Sequence, residues 1–334
     1  MTRSERDIIE IIRKSIPEKV PDRLVKGIGD DCAVIRCTRG TVDLITMDTL
    51  VQGVHFNPSW HGPELLGRKA VSVNISDIAA MGGKPLFAFL AVALPGGTGE
   101  QWMDRFMQGL LDVLAENGAA LVGGDTVRSD AGITVTVTLT GEAEEGKVLY
   151  RHTAEVGDVV WVSGYLGEAG AGLRLCEQGY ADSKDEHFRK LINRHLDPAP
   201  RVALGRLLAQ SGLVNAMMDL SDGLATDLAH ICRESGAGAQ IHADALPISA
   251  ELKKGAQFLD TSVQDLALAG GEDFELLFTA APQNSRELKE MAMARTGIEI
   301  YPVGSITAED RVRLCEGGRE TDITYKGFDH FPPE

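Results

Sequence analysis

The sequence predicts a mixed α/β protein of two domains. Its 334 residues are enough for two domains of ordinary size. Segments with the two-residue period of a strand and segments with the 3.6-residue period of a helix follow one another throughout the chain. A stretch rich in Glu and Gly, residues 141–157, separates two halves that each hold both kinds of segment. We therefore expect one domain over 1–147 and a second over 148–334.

The first domain begins with a predicted helix and a predicted hairpin. Ser4 and Asp7 form a capping pair for the N-terminal helix. Residues 32–35 and 42–47 have the composition of strands, and the turn Thr38-Arg39-Gly40 between them predicts that they form a hairpin.

The rest of this domain is predicted to contain more strand than helix. A helix is expected over 63–81, because Pro63 lies near its start and two glycines follow its end. The strict alternation over Thr134–Thr140 predicts a sheet with one apolar and one polar face. Between them we expect a strand covered on both faces over 86–94, a helix over 100–117 and a short strand over 119–122.

The second domain is predicted to be a layered α/β structure. Asp222 is expected to cap the N-terminus of a helix that continues to Gly236. The other elements are a strand over 159–164, helices to about 212, a strand near 239–243, helices over 261–269 and 284–295, a strand over 276–278 and two or three short strands near the C-terminus.

Composition excludes several classes of function. The net charge is −16, from 49 acidic residues against 33 Lys and Arg. This balance argues against a nucleic-acid or anionic-membrane partner, because both are bound through clustered positive charge. Five cysteines without a Cys-x-x-Cys pair support neither a disulfide framework nor a zinc site. With no signal-peptide pattern and no apolar span of 18 residues, the sequence predicts a cytoplasmic protein.

Four segments place acids beside glycine or at the end of an apolar run. They are Gly27-Ile28-Gly29-Asp30-Asp31, Thr46-Met47-Asp48, Val122-Gly123-Gly124-Asp125-Thr126 and Asp219-Leu220-Ser221-Asp222-Gly223. Each has an ordinary explanation as a turn or a helix cap. Repetition favours one shared metal–nucleotide site, because Mg²⁺ takes carboxylates together with substrate phosphates.

Asp77 is a further acid outside these four segments, on a helix that is otherwise almost wholly apolar. An acid there is costly unless it is paired or metal-bound, although Asn74 and Asp77 could also form a solvated stripe. The chain has no Gly-x-x-x-x-Gly-Lys-Ser/Thr loop, so Gly123 and Gly124 are expected to let a phosphate approach in another way.

Seven motifs follow one another from about residue 27 to 331, namely GIGDD, MDTLVQGVHF, VNISDIAAMG, VGGDT, DLSDG, GGEDFEL and KGFDHF. Together they resemble the thiamine-monophosphate kinase family, which belongs to the superfamily of aminoimidazole ribonucleotide synthetase. The resemblance implies transfer of the terminal phosphoryl group of ATP to thiamine monophosphate, with magnesium. It also implies a homodimer in which the N-terminal domains pair through a β-barrel, while the C-terminal α/β domain covers the active site.

The resemblance also assigns roles to individual positions. The metal ligands would be Asp31, Thr46, Met47, Asp48, Asp77, Asp125, Asp219 and Asp222, of which Asp31, Asp77, Asp125, Asp219 and Asp222 would be catalytic. ATP would be held by Gly124, Asp125, Arg151 and Ser221, and the thiamine end by His55, Glu272 and Phe328. Met47 could bind magnesium only through its backbone carbonyl, and Phe328 can stack but has no hydroxyl.

The chemistry of the reaction agrees with such a site. A phosphate monoester has a second pKa of about 6, so its attacking oxygen is largely anionic at neutral pH and needs no strong base. Two polyanions must still be brought into line, which magnesium ions on carboxylates together with Arg151 would achieve. A cationic thiazolium ring would suit Glu272 and Phe328 through charge pairing and cation–π contact.

Several alternatives remain open from the sequence. Within the superfamily, aminoimidazole ribonucleotide synthetase and selenophosphate synthetase-like enzymes share the acidic ATP site, and the end Pro332-Pro333-Glu334 lacks the cysteine of the hydrogenase-maturation relatives. A non-catalytic nucleotide or metal sensor is a reading from another class. His55 has a second explanation as a capped loop histidine, and either Asp30 or Asp31 could be the main ligand.

Overall fold

The computed structural model describes residues 23–26, 34–35 and 37–328. The predicted N-terminal helix, Asp30, Asp31 and the last residues of the KGFDHF motif fall outside this part of the chain. The described residues divide into two compact units, the first within Met1–Ile78 and Gly83–Gly146, the second within Ala79–Gly82 and Lys147–Glu334. No helix in the described part is long and apolar enough to cross a membrane.

The first unit contains six strands and two helices among its described residues. They are β1 (Leu24–Lys26), β2 (Val34–Ile35), β3 (Thr41–Val51), α1 (Pro63–Ala80), β4 (Lys84–Pro95), α2 (Glu100–Glu116), β5 (Ala120–Ser129) and β6 (Thr134–Glu144). Four strands form an open sheet in the order β3-β6-β4-β5, in which only β4 and β5 are parallel. The described residues form no closed barrel, and β3 and β5 are the two edges.

The predicted hairpin between β2 and β3 is wrong. β2 pairs with β1, whereas β3 pairs along its whole length with β6. β6 is long enough to pair with every residue of β3, whereas the two-residue β2 is not. A local turn signal does not show which partner a strand will take.

The two helices of the first unit pack closely because glycine allows it. Gly67 on α1 lies against the backbone of α2, where an added Cβ would be 2.1 Å from the carbonyl oxygen of Phe106. Gly109 on α2 does the same against α1, with Glu64 as the neighbour at 1.9 Å. Such an approach leaves the large apolar residues of α2, namely Met103, Phe106, Met107, Leu110 and Val113, fully buried.

The strands of this sheet confirm one pattern and correct two others. β6 alternates between buried and partly exposed residues along nearly all of its length, as predicted. β4 is covered on both faces only over residues 85–88 and alternates from Phe89 onward. β5 is far longer than the predicted 119–122, so Gly123, Gly124 and Asp125 lie inside a strand rather than in a turn.

The second unit is a layered α/β structure around a seven-stranded sheet. Its elements are β7 (Val159–Ser163), α3 (Glu168–Glu177), α4 (Glu186–Leu196), α5 (Val202–Ser211), β8 (Ala216–Asp219), α6 (Leu224–Ser235), β9 (Gly238–His242), α7 (Ala250–Phe258), α8 (Val263–Ala269), β10 (Leu276–Ala280), α9 (Ser285–Thr296), β11 (Ile300–Thr307), β12 (Val312–Glu316) and β13 (Arg319–Asp322). The strand order is β13-β12-β9-β11-β7-β10-β8.

Both faces of this sheet are buried, which explains the apolar runs of its central strands. Val160 and Val162 of β7 pack in a cluster with residues of α6, such as Leu228. Trp161, between them, points to the opposite face and packs in a second cluster with residues of α5 and α9, among them Leu208. Successive side chains of a strand alternate in direction, so a strand covered by helices on both faces has no polar side.

Candidate active site

In the first unit, β3 and α1 bring three of the predicted ligands together. The Thr46 hydroxyl donates a hydrogen bond to the Asp77 carboxylate, and Asp48 lies two residues further along β3, on the same face of the strand. Burial raises the pKa of Asp48 to about 6, and the negative charge of Asp77 adds to that effect. A cation between the two carboxylates would relieve both costs, so these residues suit a divalent metal.

Asn74 does not form the solvated stripe considered as an alternative for this helix. Its side chain is fully buried, and its amide nitrogen donates to the backbone carbonyl of Ala70 at 3.1 Å. Asp77 is the partly exposed position of this stretch of α1. The two residues therefore have different roles, because Asn74 is a buried structural amide and Asp77 is an accessible carboxylate.

Within one chain, the side chains of Met47 and Asp125 cannot bind the same metal ion as the side chain of Asp48. The Met47 side chain is 63% exposed, so a contribution to the Thr46–Asp77 site could come only from its backbone. Asp125 is on β5, the opposite edge of the sheet, with β6 and β4 between it and β3. Three strand spacings amount to about 14 Å, whereas ligands of one Mg²⁺ ion lie about 2 Å from it.

The glycine of this motif has a structural reason. A Cβ at Gly124 would lie 2.0 Å from the backbone oxygen of Leu90 on β4, so only glycine permits this strand pairing. Next to it, the exposed Asp125 accepts a hydrogen bond from the N–H of Thr126 at 2.9 Å. Gly123 and Gly124 were predicted to allow the close approach of a phosphate. In this structure, the group that lies close to Gly124 is the backbone of the neighbouring strand β4.

His55 is held in the loop after β3 in the way that its alternative explanation predicts. Its Nδ1 accepts from the N–H of Val51 at 3.0 Å, and its own N–H donates to the carbonyl of the same residue at 2.9 Å. Because Nδ1 accepts, the neutral ring carries its proton on Nε2. The ring therefore presents a donor, which is compatible with a phosphate contact.

In the second unit, the loop after β8 is organised by a buried acid that the sequence reasoning missed. One carboxylate oxygen of Asp227 accepts hydrogen bonds from the N–H groups of Ser221, Asp222 and Gly223 at 3.0 to 3.2 Å. Burial raises the pKa of Asp227 well above its usual range, and the charges of Asp222 and Asp219 raise it further.

The predicted N-cap role of Asp222 is therefore wrong. Helix α6 starts at Leu224, and its N-cap is Gly223, whose φ of +105° requires glycine and which makes no side-chain cap. An acid in the first turn of a helix that follows Ser-Asp-Gly is the one sequence signal that could have pointed to Asp227.

This loop holds the backbone of two of the three residues predicted to contact thiamine, Glu272 and Phe328. The Ser221 carbonyl accepts from the N–H of Glu272 at 2.7 Å, and the Asp222 carbonyl accepts from the N–H of Phe328 at 3.1 Å. Asp219, at the end of β8, is buried just before the loop. The structure therefore brings Glu272 and Phe328, which are distant in the sequence, to the loop that carries Ser221 and Asp222.

Arg151 lies at the C-terminal end of α6, whereas the loop after β8 lies at its N-terminal end. Its backbone carbonyl accepts from the Ser235 hydroxyl at 3.0 Å, and its side chain is exposed. Burial lowers the pKa of His230 on α6, and the charges of Arg233 and Arg151 lower it further, while that of Asp222 opposes them. The charge of Arg151 therefore reaches His230 in the middle of α6, where the charge of Asp222 also acts.

The segment Gly270–Glu275 is anchored by acids that the sequence reasoning left without a role. Asp273 is buried and accepts from the N–H of Gly167 at 2.7 Å at the start of α3, and burial raises its pKa to about 7. Glu275 is fully buried between Arg194 and Arg201 and accepts from the Ser163 hydroxyl at 2.7 Å.

The described residues contain no group of three or more His, Cys, Asp or Glu side chains placed to hold a metal ion. The metal-binding potential lies in smaller sets, namely Thr46, Asp48 and Asp77 in the first unit and Asp219 and Asp222 in the second. Cys37, Cys232 and Cys315 are free thiols, and Cys232 is buried.

Comparison with known proteins shows a consistent family. Residues 29–143 match the N-terminal domain of AIR synthase related proteins, and residues 155–315 match their C-terminal domain. The thiamine-monophosphate kinase of Haemophilus influenzae is 37% identical over 318 residues, which cover 93% of each chain.

Solved structures agree with these matches. The crystal structure of thiamine-monophosphate kinase from Stenotrophomonas maltophilia superposes with a TM-score of 0.82 at 36% identity, covering 92% of this chain and 94% of that one. AaThiL complexed with AMPPCP and TMP superposes with a TM-score of 0.76 at 33% identity, covering 96% and 97%. The chain therefore belongs to the thiamine-monophosphate kinase family of AIR synthase related proteins.

Proposed function

We propose that the protein transfers the terminal phosphoryl group of ATP to thiamine monophosphate, giving thiamine diphosphate and ADP. The observation that carries the proposal is the loop after β8, whose consecutive carbonyls hold the backbones of Glu272 and Phe328. A predicted nucleotide and metal loop is thereby joined to the predicted acceptor residues. The relatives named above bear this activity in their names, and AaThiL has been solved with an ATP analogue and TMP.

The transfer itself is an in-line displacement that places little chemical demand on the protein. The acceptor oxygen is already largely anionic at neutral pH, so no residue has to remove a proton from it. The protein must instead hold two polyanions in line and screen their charges. Magnesium, when bound, would supply this screening of charge.

The residues that would hold magnesium fit its chemistry. They offer carboxylate and hydroxyl oxygens and one backbone carbonyl, as hard cations require, and they are Asp31, Thr46, Met47, Asp48, Asp77, Asp125, Asp219 and Asp222. The raised pKa of Asp48 beside Asp77 is the observation on this structure that supports a cation there. Asp31 lies outside the described residues.

The two substrates would be held by different parts of the protein. Gly124, Asp125, Arg151 and Ser221 are proposed for ATP, with Arg151 supplying positive charge to the phosphates. His55, Glu272 and Phe328 are proposed for thiamine monophosphate. The exposed Phe328 ring can lie against the cationic ring of the substrate, while the Glu272 carboxylate balances its charge.

We further propose that the protein acts as a homodimer, with β3 of one copy beside β5 of the other. The chain separates Asp48 and Asp125 on the two edges of an open sheet, and β3 also carries the exposed apolar residues Ile45 and Met47. Pairing the edges in a two-fold dimer would build the β-barrel that the family resemblance implies. It would also bring Asp125 of one copy to Asp48 of its partner.

The activity is tested by following ADP release from ATP and magnesium with thiamine monophosphate, with thiamine and without an acceptor. ADP formation that depends on the monophosphate, with thiamine diphosphate identified by chromatography, is the expected result. ATP binding without stimulation by the monophosphate would refute it. The substrates that aminoimidazole ribonucleotide synthetase uses as acceptors would then be tested in the same assay. A protein that binds ATP but turns it over with none of these acceptors would be a sensor.

The shared site is tested by mixing two inactive variants, Asp48→Asn and Asp125→Asn. If each site takes Asp48 from one copy and Asp125 from the other, a mixed dimer has one intact site, and about a quarter of the wild-type activity returns after exchange of subunits. If both acids act within one chain, the mixture stays inactive. Light scattering on the same samples establishes whether the dimer exists.

A further inference from the structure

His195 is the only buried histidine of helix α4, at the end of that helix, and it faces the acidic segment 270–275. Its Nδ1 lies 2.8 Å from Oε2 of Glu272, and its side chain is only 1% exposed. Arg194, the residue before it, contacts Glu275 at 2.6 Å and Glu168 at 3.4 Å. Two consecutive residues at the C-terminus of α4 thus contact two acids of one segment.

The backbone of Glu272 is already fixed before its side chain is considered. Its φ is +58°, a left-handed conformation that costs a non-glycine residue about 1–2 kcal/mol, and Phe274 is also left-handed at +47°. The N–H of Glu272 donates to the Ser221 carbonyl, and the N–H of Phe274 donates to the Leu220 carbonyl at 2.9 Å. These bonds hold the strained segment in place.

The side chain of Glu272 has three rotatable bonds, and one of its carboxylate oxygens contacts the imidazole of His195. It is 28% exposed, which leaves the carboxylate accessible from solvent while one oxygen touches the buried imidazole. A rigid, buried ring against one oxygen restricts the rotamers of the carboxylate and directs its charge. This is the arrangement that lowers the entropic cost of binding a cationic group.

We propose that His195 is a positioning residue, which holds the Glu272 carboxylate in the orientation that binds the cationic ring of the acceptor. The inference rests on the proposed function, because it takes Glu272 to contact thiamine monophosphate. His195 does not touch the substrate. Its effect falls on the affinity for the acceptor and leaves ATP binding and phosphoryl transfer largely unchanged.

The test compares substitutions that keep or remove the nitrogen facing Glu272. In His195→Leu the nitrogen is lost, so the KM for thiamine monophosphate is expected to rise between about 3- and 10-fold, with kcat and the KM for ATP within twofold. In His195→Asn the side-chain amide nitrogen takes the place of Nδ1, and most of the KM is recovered. In His195→Gln the amide reaches the position of Nε2, and no recovery follows.

Two controls separate positioning from general damage. His187, on the same helix, is 41% exposed on its side chain and lies 4.0 Å from Glu251, so His187→Leu is expected to leave every kinetic constant unchanged. In a Glu272→Gln background, His195→Leu is expected to add nothing, because the group it positions is already altered.

The outcomes distinguish the inference from the proposed function. A wild-type protein that does not phosphorylate thiamine monophosphate overturns both. An active wild type whose KM for the acceptor is unmoved in His195→Leu, or is raised equally in His195→Asn, overturns the positioning role alone. If His195→Leu does not fold, as judged by thermal unfolding, the comparison of Asn with Gln decides.

Discussion

Replacing Asp48 with Asn is expected to stabilise the metal-free protein while it abolishes activity. Asp48 is partly buried on β3 near the Asp77 carboxylate, and burial is the main reason that its pKa rises from 3.8 to about 6. At neutral pH the folded protein must keep this group ionised at a cost. An Asn side chain has nearly the same shape and no charge, so the variant avoids that cost.

The size of the effect follows from the raised pKa. Each pH unit between the unfolded and folded pKa is worth about 1.4 kcal/mol, so the full penalty of the ionised group is about 3 kcal/mol. The folded state holds the proton more tightly than the unfolded state. The free energy of unfolding therefore falls as pH rises from about 4 to 6, and the penalty is complete above 6.

The assay is urea unfolding in EDTA at pH 4 and at pH 7.5. Asp48→Asn is expected to be about 1–3 kcal/mol more stable than the wild type at pH 7.5, and nearly equal to it at pH 4. Added magnesium should stabilise the wild type more than the variant. Asp43→Asn is the matched control, because Asp43 lies on the same strand, exposed and 2.9 Å from Arg23. A variant no more stable than the wild type at pH 7.5 would refute the electrostatic reasoning.

Three further changes test the fold and the site. Gly124→Ala is expected to cost about 1–3 kcal/mol in urea unfolding, because its Cβ would strike the neighbouring backbone, whereas Gly62→Ala, with open space around it, should be neutral. Glu275→Gln leaves two arginines without their buried partner and should cost about 3 kcal/mol, against less than about 0.5 for Glu290→Gln on the surface. Asp125→Asn should lose most ADP release with an unchanged melting curve, and normal turnover would contradict its role as a metal ligand.

Local sequence patterns predicted most elements of the fold because their signals are local. The alternation of β6 and the proline and glycines around α1 depend on neighbours within a few residues, and both elements are where they were expected. The β2–β3 hairpin failed because strand pairing depends on distant partners. The extension of β5 through Gly124 failed for the same reason, since a Gly-Gly-Asp sequence looks like a turn until a parallel neighbour is known.

The candidate site divides in the same way. Candidate residues such as Asp77, Ser221 and Glu272 were selected from motifs, and their roles stay predictions. Supporting groups could not be selected in this way, because Asp227 and His195 gain their roles only from burial and from contacts across the fold. A sequence alone does not show whether an acid is buried or exposed to solvent. Only the buried acid needs a partner, because burying an unpaired charge is costly.

The strand order of the four-stranded sheet also constrains how the chain folds during its synthesis. Thr49 on β3 meets Thr136 on β6 across 87 residues of sequence, and β4 must find β5 in parallel after an intervening helix. Such long-range pairings form slowly. During synthesis on the ribosome, the apolar residues of β3 stay exposed to solvent until β6 has emerged. A chaperone that binds extended apolar segments would bind β3 during this interval.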